Sequence, residues 1–414
     1  MKRAGIFDRT PWHRTRWLAL VAVALVVLVA AGCGGKKDSS GGGGDTTASK
    51  DPIVIGSAVA LTGGLSAFDL PALQGTQIAI DEINKSGGIL GRPVKLVKAD
   101  TKSDINQGAR AGQEVLAKGA DAMIVTLDFN YGGGAAREAQ KASKVVIAPG
   151  AGSPEFGVQG IGSMAYTLGI AAQTDSVVAA EWGIEDKKFK TAYLLLDDIT
   201  DYDKTQCKSF KTAWTDAGGT ILGEDTFKNS DPSVAAQVTR IKSLSSEPDL
   251  IMLCSFPPGG AVAVKQLRDA GVKSAIISNG AMDGDYWYKQ SVPNLSDFYI
   301  TASASVWGDD PSQQVNDFVA KVKAKSGQPQ AYFTVLGYIA VYAIKEAMEK
   351  ANSTDGTAVA AELDKFNKEP VGGLELTFTP ELHIDTKREE RVIGVFNGKH
   401  KTVASRAAEK QLPL

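Results

Sequence analysis

Ile53-Val54-Ile55-Gly56-Ser57-Ala58-Val59-Ala60-Leu61-Thr62-Gly63-Gly64-Leu65 is the stretch that decides how the chain reads. It is an apolar run closed by a glycine turn, and a helical run to Asn84 follows it. Gly87-Gly88-Ile89-Leu90-Gly91-Arg92-Pro93 then leads into a second apolar run, Val94-Lys95-Leu96-Val97-Lys98-Ala99-Asp100. Strand, turn, helix and strand are the parts of a βαβ unit. In open α/β sheets the turn after such a strand lies outside the strand carboxyl ends, where ligands bind. The opening therefore predicts a strand-turn-helix facing a cleft.

Working outward, the alternation continues. Residues 104–119 read as a helix with Asp104 as N-cap, 122–126 as a buried strand, and 128–134 as a turn into a helix over 135–143. A strand over 145–148 closes at Pro149-Gly150-Ala151-Gly152-Ser153. The pattern restarts near Gly169, with helices over 174–182, 203–217, 233–245 and 261–270 and strands over 192–196, 220–227, 250–254 and 275–278. Strands and helices at this spacing imply doubly wound parallel sheets. Residues 313–325 and 331–351 are amphipathic helices, 374–379 and 391–395 alternate like strands, and Asn397-Gly398 signals a tight turn. Periodicity alone yields two α/β units and a helical return.

The N-terminus reads differently. Lys2, Arg3, Arg9, Arg14 and Arg16 precede or enter an apolar run over 17–31 that ends at Ala30-Ala31-Gly32-Cys33. Residues 1–32 read as a secretory signal peptide, and Cys33 as the lipidation site of a bacterial lipobox. An uncleaved anchor and an ordinary signal peptide are the alternatives, although the apolar run is short for a spanning helix. The Gly, Ser, Thr and Lys of 34–50 behave as a flexible tether, making 33–50 a lipid-anchored linker. The expected location is extracytoplasmic, on the outer face of the cytoplasmic membrane.

More than 350 residues remain, too many for one compact core and suited to two lobes. Net charge is −2 with the signs interspersed, so there is no nucleic-acid footprint. His13, His383 and His400 are scattered, and the three cysteines, Cys33, Cys207 and Cys254, have neither zinc spacing nor a disulfide framework. An oxidising compartment makes Cys207–Cys254 a possible bridge; a strand end and a helix start suit buried hydrophobes, and the reading favours free thiols. Neither Gly63-Gly64 nor Gly132-Gly133-Gly134 matches G-x-G-x-x-G, and no P-loop, G-x-S-x-G elbow or metal cluster appears. No enzyme activity, cofactor or metal is expected.

The I-x-I-G-x-A-x-x-L-T-G pattern of 53–63, Asp81-Glu82-Ile83-Asn84, Gly87-Gly88-Ile89 with Gly91-Arg92, and the 97–100 strand also carry a resemblance. In order and spacing they resemble the periplasmic binding proteins for branched-chain amino acids, the type I substrate-binding proteins of ABC importers, over about residues 52–403. The resemblance implies an α/β fold of two Rossmann-like doubly wound lobes joined by a three-crossing hinge. Lobe 1 would be 51–169 with 305–371, and lobe 2 would be 170–304 with 372–414. It implies a monomer that captures a small-molecule ligand by hinge closure and delivers it to ABC permease subunits. A tethered ligand sensor is the alternative role.

Candidate cleft stretches lie just past strand ends, over 61–68, 128–131, 150–153 and 279–283 with Ala171, Tyr202 and Phe256, and within them the expected site residues are Phe68, Phe129, Asn130, Tyr131, Gly150, Ala151, Gly152, Ser153, Ala171, Tyr202, Phe256 and Asp283. The resemblance assigns a ligand carboxylate to backbone N–H groups and hydroxyls of lobe 1. Gly150 to Ser153 suit that role, because glycine allows close backbone approach and such a turn can form an anion nest; a plain glycine turn is the alternative. A ligand ammonium needs an acid, since an unpaired buried charge costs on the order of several kcal/mol. Where the family has an acid at the crossover this chain has Ala171-Ala172-Gln173; Asp283, Asp285 and Asp128 remain, as ligand contacts or as solvated loop charges. The family's hydroxyl-bearing turn after the third strand is replaced by Phe129-Asn130-Tyr131. With Phe68, Tyr202, Phe256 and Trp287 this makes an aromatic-rich cleft, and Tyr202 matches a cleft tyrosine of the family. A branched-chain or related amino acid is the first ligand expectation; an aromatic or aliphatic carboxylate or an amide is the second.

Overall fold

Strand β1 (Ile53–Val59) sends Ile53 and Ile55 to one buried face and Ala58 to the other, the two-residue period of a strand covered on both sides. The computed structural model describes residues 51–414, so the expected signal peptide, Cys33 and the linker lie outside the described residues. From β1 the chain runs through α1 (Ser66–Lys85), β2 (Val94–Asp100), α2 (Gly108–Ala117), β3 (Ala122–Val125), α3 (Phe129–Lys141), β4 (Val146–Ala148) and β5 (Ala165–Thr167). These five strands form a wholly parallel sheet in the order β2-β1-β3-β4-β5.

There follow α4 (Ala172–Glu181), β6 (Thr191–Asp197), α5 (Asp201–Asp216), β7 (Thr220–Phe227), α6 (Ala235–Lys242), β8 (Leu250–Cys254), α7 (Gly259–Asp269), β9 (Ala275–Ser278) and β10 (Phe298–Ala302). The chain then returns through α8 (Gln313–Ser326), α9 (Phe333–Ala351) and α10 (Gly356–Leu363) to a hairpin of β11 (Glu369–Val371) and β12 (Leu374–Leu376), and ends with β13 (Glu390–Phe396) and β14 (Lys399–Arg406). The second sheet has the order β14-β13-β10-β9-β8-β6-β7, parallel from β10 to β7 and antiparallel at β13 and β14. Asn397 and Gly398 take φ of 50° and 72° between paired Phe396 and Lys399, a two-residue turn with the primed geometry expected of Asn-Gly.

The return helices belong with the first sheet. Helix α9 lies along α1, and Glu82 of α1 accepts from the Tyr338 hydroxyl at 2.8 Å and pairs with Lys321 at 2.7 Å. The chain therefore passes between sheets after β5, after β10 and before β13. Arg388 on the last passage binds the other two: one guanidinium nitrogen donates to Leu168 O at 2.6 Å and to Ser303 Oγ at 3.1 Å. The lobe boundary expected at residue 371 falls inside the β11–β12 hairpin, and Phe378 beyond it still packs edge-on against Tyr166 of β5.

Three expectations need correcting. The turn expected over 128–134 is the first part of α3, with Asp128 as N-cap accepting from the N–H of Asn130 (2.8 Å) and Tyr131 (3.2 Å). Its glycines serve close packing: a Cβ on Gly132 would lie 2.2 Å from Thr126 O. The helix expected over 233–245 is only Ala235–Lys242. Cys207 and Cys254 are not free thiols but a disulfide, their Cα atoms 5.8 Å apart where α5 lies on β8, within the span such a bridge needs. Strands β5 and β10 and helix α10 were not foreseen; β5 and β10 are three and five residues long and carry little periodicity.

Candidate functional site

Six strands from two sheets point their carboxyl ends at one partly open cleft, the place where open α/β sheets bind ligands. After β1, β3 and β4 come Leu65 and Phe68, then Leu127, Asp128 and Tyr131, then Gly150 and Gly152. After β6, β8 and β9 come Thr200, Tyr202 and Asp203, then Phe256, then Asn279 and Ala281. Tyr332 and Phe333, at the start of α9, complete the lining.

The two lobes touch around this space. Phe68 meets Phe256 edge-on with ring centres 6.2 Å apart. Asn130 donates to the Asp201 carboxylate at 3.0 Å and accepts from the Asp201 N–H at 3.2 Å. The ring of Tyr202 lies on Gly152, and its hydroxyl donates to Asp175 at 2.6 Å. These contacts describe a closed arrangement.

Of the twelve expected site residues, the cleft gathers Phe68, Tyr131, Gly150, Gly152, Tyr202 and Phe256. Asn130 sits beside it as the latch to Asp201. Phe129 points into the core between α2 and α3, with the Arg137 guanidinium 5.5 Å from its ring centre. Ala151 and Ser153 lie behind the turn, where Ala151 O accepts from Thr167 Oγ1 at 2.7 Å and Ser153 Oγ accepts from Glu155 N at 3.3 Å. Ala171 is a hinge residue whose N–H donates to Asp385 O at 3.0 Å. Asp283 is not on the cleft lining: its buried carboxylate accepts from Tyr332 N (2.8 Å), Gly284 N (2.8 Å) and Trp307 Nε1 (3.3 Å). Those donors already satisfy it, and burial pushes its pKa up to about 6.

The acids that do line the cleft are Asp128 and Asp203. Burial pushes Asp128 up to about 6, against the opposing pull of the Tyr131 and Asn130 N–H groups. Burial also holds Asp203 well above the usual carboxyl range, reinforced by the nearby Asp197 and Asp128. Asp203, Leu127, Thr200, Tyr332 and Phe333 were missed from the sequence. Thr200-x-x-Asp203 had a signal, the helix-capping spacing: Thr200 Oγ1 accepts from Asp203 N at 3.1 Å and donates to its carboxylate at 2.6 Å. Tyr332 and Phe333 had none, because only the return of α9 to the first sheet brings them here.

A family model described as periplasmic binding protein matches residues 52–386. The Leu/Ile/Val-binding protein BraC3 of Rhizobium johnstonii is 27% identical over 318 residues, 77% of this chain and 84% of that protein. The substrate binding protein LivJ of the branched-chain amino acid transporter of Streptococcus pneumoniae, solved with isoleucine, superposes with a TM-score of 0.77 at 22% identity, covering 86% of this chain and 99% of that one. The leucine binding protein LivK of Thermotoga maritima gives 0.76 at 22% identity, covering 85% and 98%. The chain belongs to the periplasmic binding protein family, in the type I branch that holds the branched-chain amino acid-binding proteins.

Proposed function

We propose that this protein is the solute receptor of an ABC importer, closing its two lobes over a small molecule with an apolar body and an ammonium group, such as a branched-chain or related amino acid. Family members are solute-binding proteins rather than enzymes and work outside the cytoplasm. The observation that carries the reading is the cleft, lined from the carboxyl ends of strands in both sheets, with ring and hydrogen-bond contacts meeting across it. Contacts made by both lobes at once exist only in the closed form, so a ligand shifts the open–closed balance toward closure. A permease would then recognise the closed face.

The finer parts of the reading are lipidation at Cys33, a tether over 33–50, action as a monomer, and lobes of 51–169 with 305–371 and of 170–304 with 372–414. The packing of Phe378 on Tyr166 supports keeping the residues just after 371 with lobe 1. Small-angle scattering with and without a bound solute tests the receptor reading. Compaction on binding is expected, and an unchanged envelope with a saturating, calorimetrically verified ligand overturns it.

A further inference from the structure

The disulfide found among the described residues stands behind one wall of the cleft. Cys207 lies early in α5, whose first turn carries Tyr202 and Asp203 of the lining. Cys254 ends β8, and Phe256 of the lining follows shortly after it. The neighbours of both cysteines meet on the cleft residue Asn279, whose amide donates to Gln206 Oε1 at 2.9 Å and to Ser255 O at 3.2 Å. Gln206 also donates to Asp175 at 2.8 Å, the acid that takes the Tyr202 hydroxyl at 2.6 Å. The covalent bond therefore joins the two elements whose ends form the second lobe's wall.

Cys207 is the half of the bond that faces outward. It is 4% exposed and lines a surface groove formed with β6 and β7, whereas Cys254 is fully buried. Exposed Lys204 and Lys211, three residues before and four after Cys207, share its helix face, and exposed Lys208 adjoins it. Two acids also line the groove, and both are paired, Glu224 with Lys211 at 2.9 Å and Asp225 with Arg240 at 2.7 Å. Disulfides are opened by a thiolate, which is an anion, and a basic surface draws anions in. This geometry marks the Cys207 sulfur for attack and makes the buried Cys254 sulfur the leaving group.

We propose that Cys207–Cys254 is a thiol-exchange site through which a dithiol reductant loosens the second lobe's wall of the cleft. A reductant thiolate bonds to Cys207 Sγ as the S–S bond breaks, and Cys254 leaves as a thiolate and takes up a proton. The reductant's second thiol, having lost its proton, then displaces Cys207, which is protonated in turn. The protein disulfide has gained two electrons and the dithiol has become a disulfide. Two thiols need more room than bonded sulfurs do, so α5 and β8 part, and Tyr202, Asp203 and Phe256 lose a common anchor. The switch acts whatever solute the cleft takes.

The test uses the mature protein with dithiothreitol as the dithiol, free thiols being counted by mass spectrometry after alkylation. Reduction of the folded protein should quicken in proportion to dithiothreitol; a rate fixed at that of unfolding overturns direct attack at Cys207. The variant carrying Lys204→Gln and Lys208→Gln should be reduced about threefold more slowly at low salt, with the gap closing at about 0.5 M salt, where screening is strong. An unchanged rate at low salt overturns the guided attack. Hydrogen exchange of the reduced, still folded protein should rise over residues 200–210 and 253–258 more than in the first lobe. Reduction that leaves those segments as protected as before overturns the switch, and so does global unfolding on reduction, since the bond is then a brace for the whole fold. The receptor reading is decided separately, by scattering of the solute-bound protein, and survives any of these failures.

Discussion

A methyl group on Gly152 would stand 2.3 Å from Cε2 of Tyr202, so a ring from one lobe fills the space that any side chain at position 152 of the other would need. Gly152→Ala should therefore act on closure. The overpacking strain is about 1–3 kcal/mol, or roughly five- to 150-fold in ligand affinity, with a more open particle in solution. Calorimetric titration and scattering of the variant measure both, and an undiminished affinity would show that this contact does not form on binding.

Arg388 joins the three interlobe passages through Leu168 O and Ser303 Oγ while its own N–H donates to Asp385 at 3.0 Å. Arg388→Ala leaves the buried Leu168 carbonyl without that donor. The expected loss in urea unfolding is about 2–3 kcal/mol, and Arg388→Lys should lose less because it can keep one of the two bonds.

Asp175 and Glu390 form a buried acid pair beneath Tyr202. Burial first, and then the neighbouring Asp175 charge, hold Glu390 well above the usual range, while Arg388 and Arg391 oppose; burial raises Asp175 too. A folded-state pKa above the unfolded value favours the fold fully at low pH, and that contribution is lost as pH climbs from about 4 through the raised values. Buried His383 and half-buried His400, both lowered by burial, pull the other way below about pH 6.5. The test is therefore a difference. Glu390→Gln should be more stable than wild type at pH 8, with the advantage shrinking toward pH 5 in scanning calorimetry; a pH-independent offset would contradict the raised pKa of Glu390.

The disulfide closes a loop between positions separated by 47 residues. Chain entropy then predicts about 4 kcal/mol of stabilisation, so replacing both Cys207 and Cys254 by Ser should lower the urea midpoint strongly. Dithiothreitol should do the same to the wild type and have no effect on the double variant.

Asp283 straps the start of α9 by accepting from Tyr332 N at 2.8 Å. Asp283→Ala should cost about 1–3 kcal/mol of stability while leaving ligand affinity nearly unchanged. A loss of affinity beyond the loss of stability would make it a ligand acid after all.

The βαβ opening, the parallel sheets and the Asn397-Gly398 hairpin were legible because each is written in neighbouring residues: a period, a turn residue, a cap. The glycines of α3 were misread because an adjacent Gly run is also the mark of a turn. Only the proximity of Thr126 O to Gly132 shows that it is a packing surface. The strand-end rule found half of the expected site residues on the cleft. It failed at Asp283, where loop position alone cannot tell an acid facing a cleft from one strapping a helix.

Local pattern, then, determined the two α/β units, the turns and the places where a cleft would open, since these depend on residues a few positions apart. Tertiary structure alone decided that Cys207 reaches Cys254, that Tyr332 and Phe333 come round to the cleft, and that Asp203 rather than Asp283 lines it. Those outcomes depend on distances between segments far apart in the chain, and such distances are set by how helices pack on sheets.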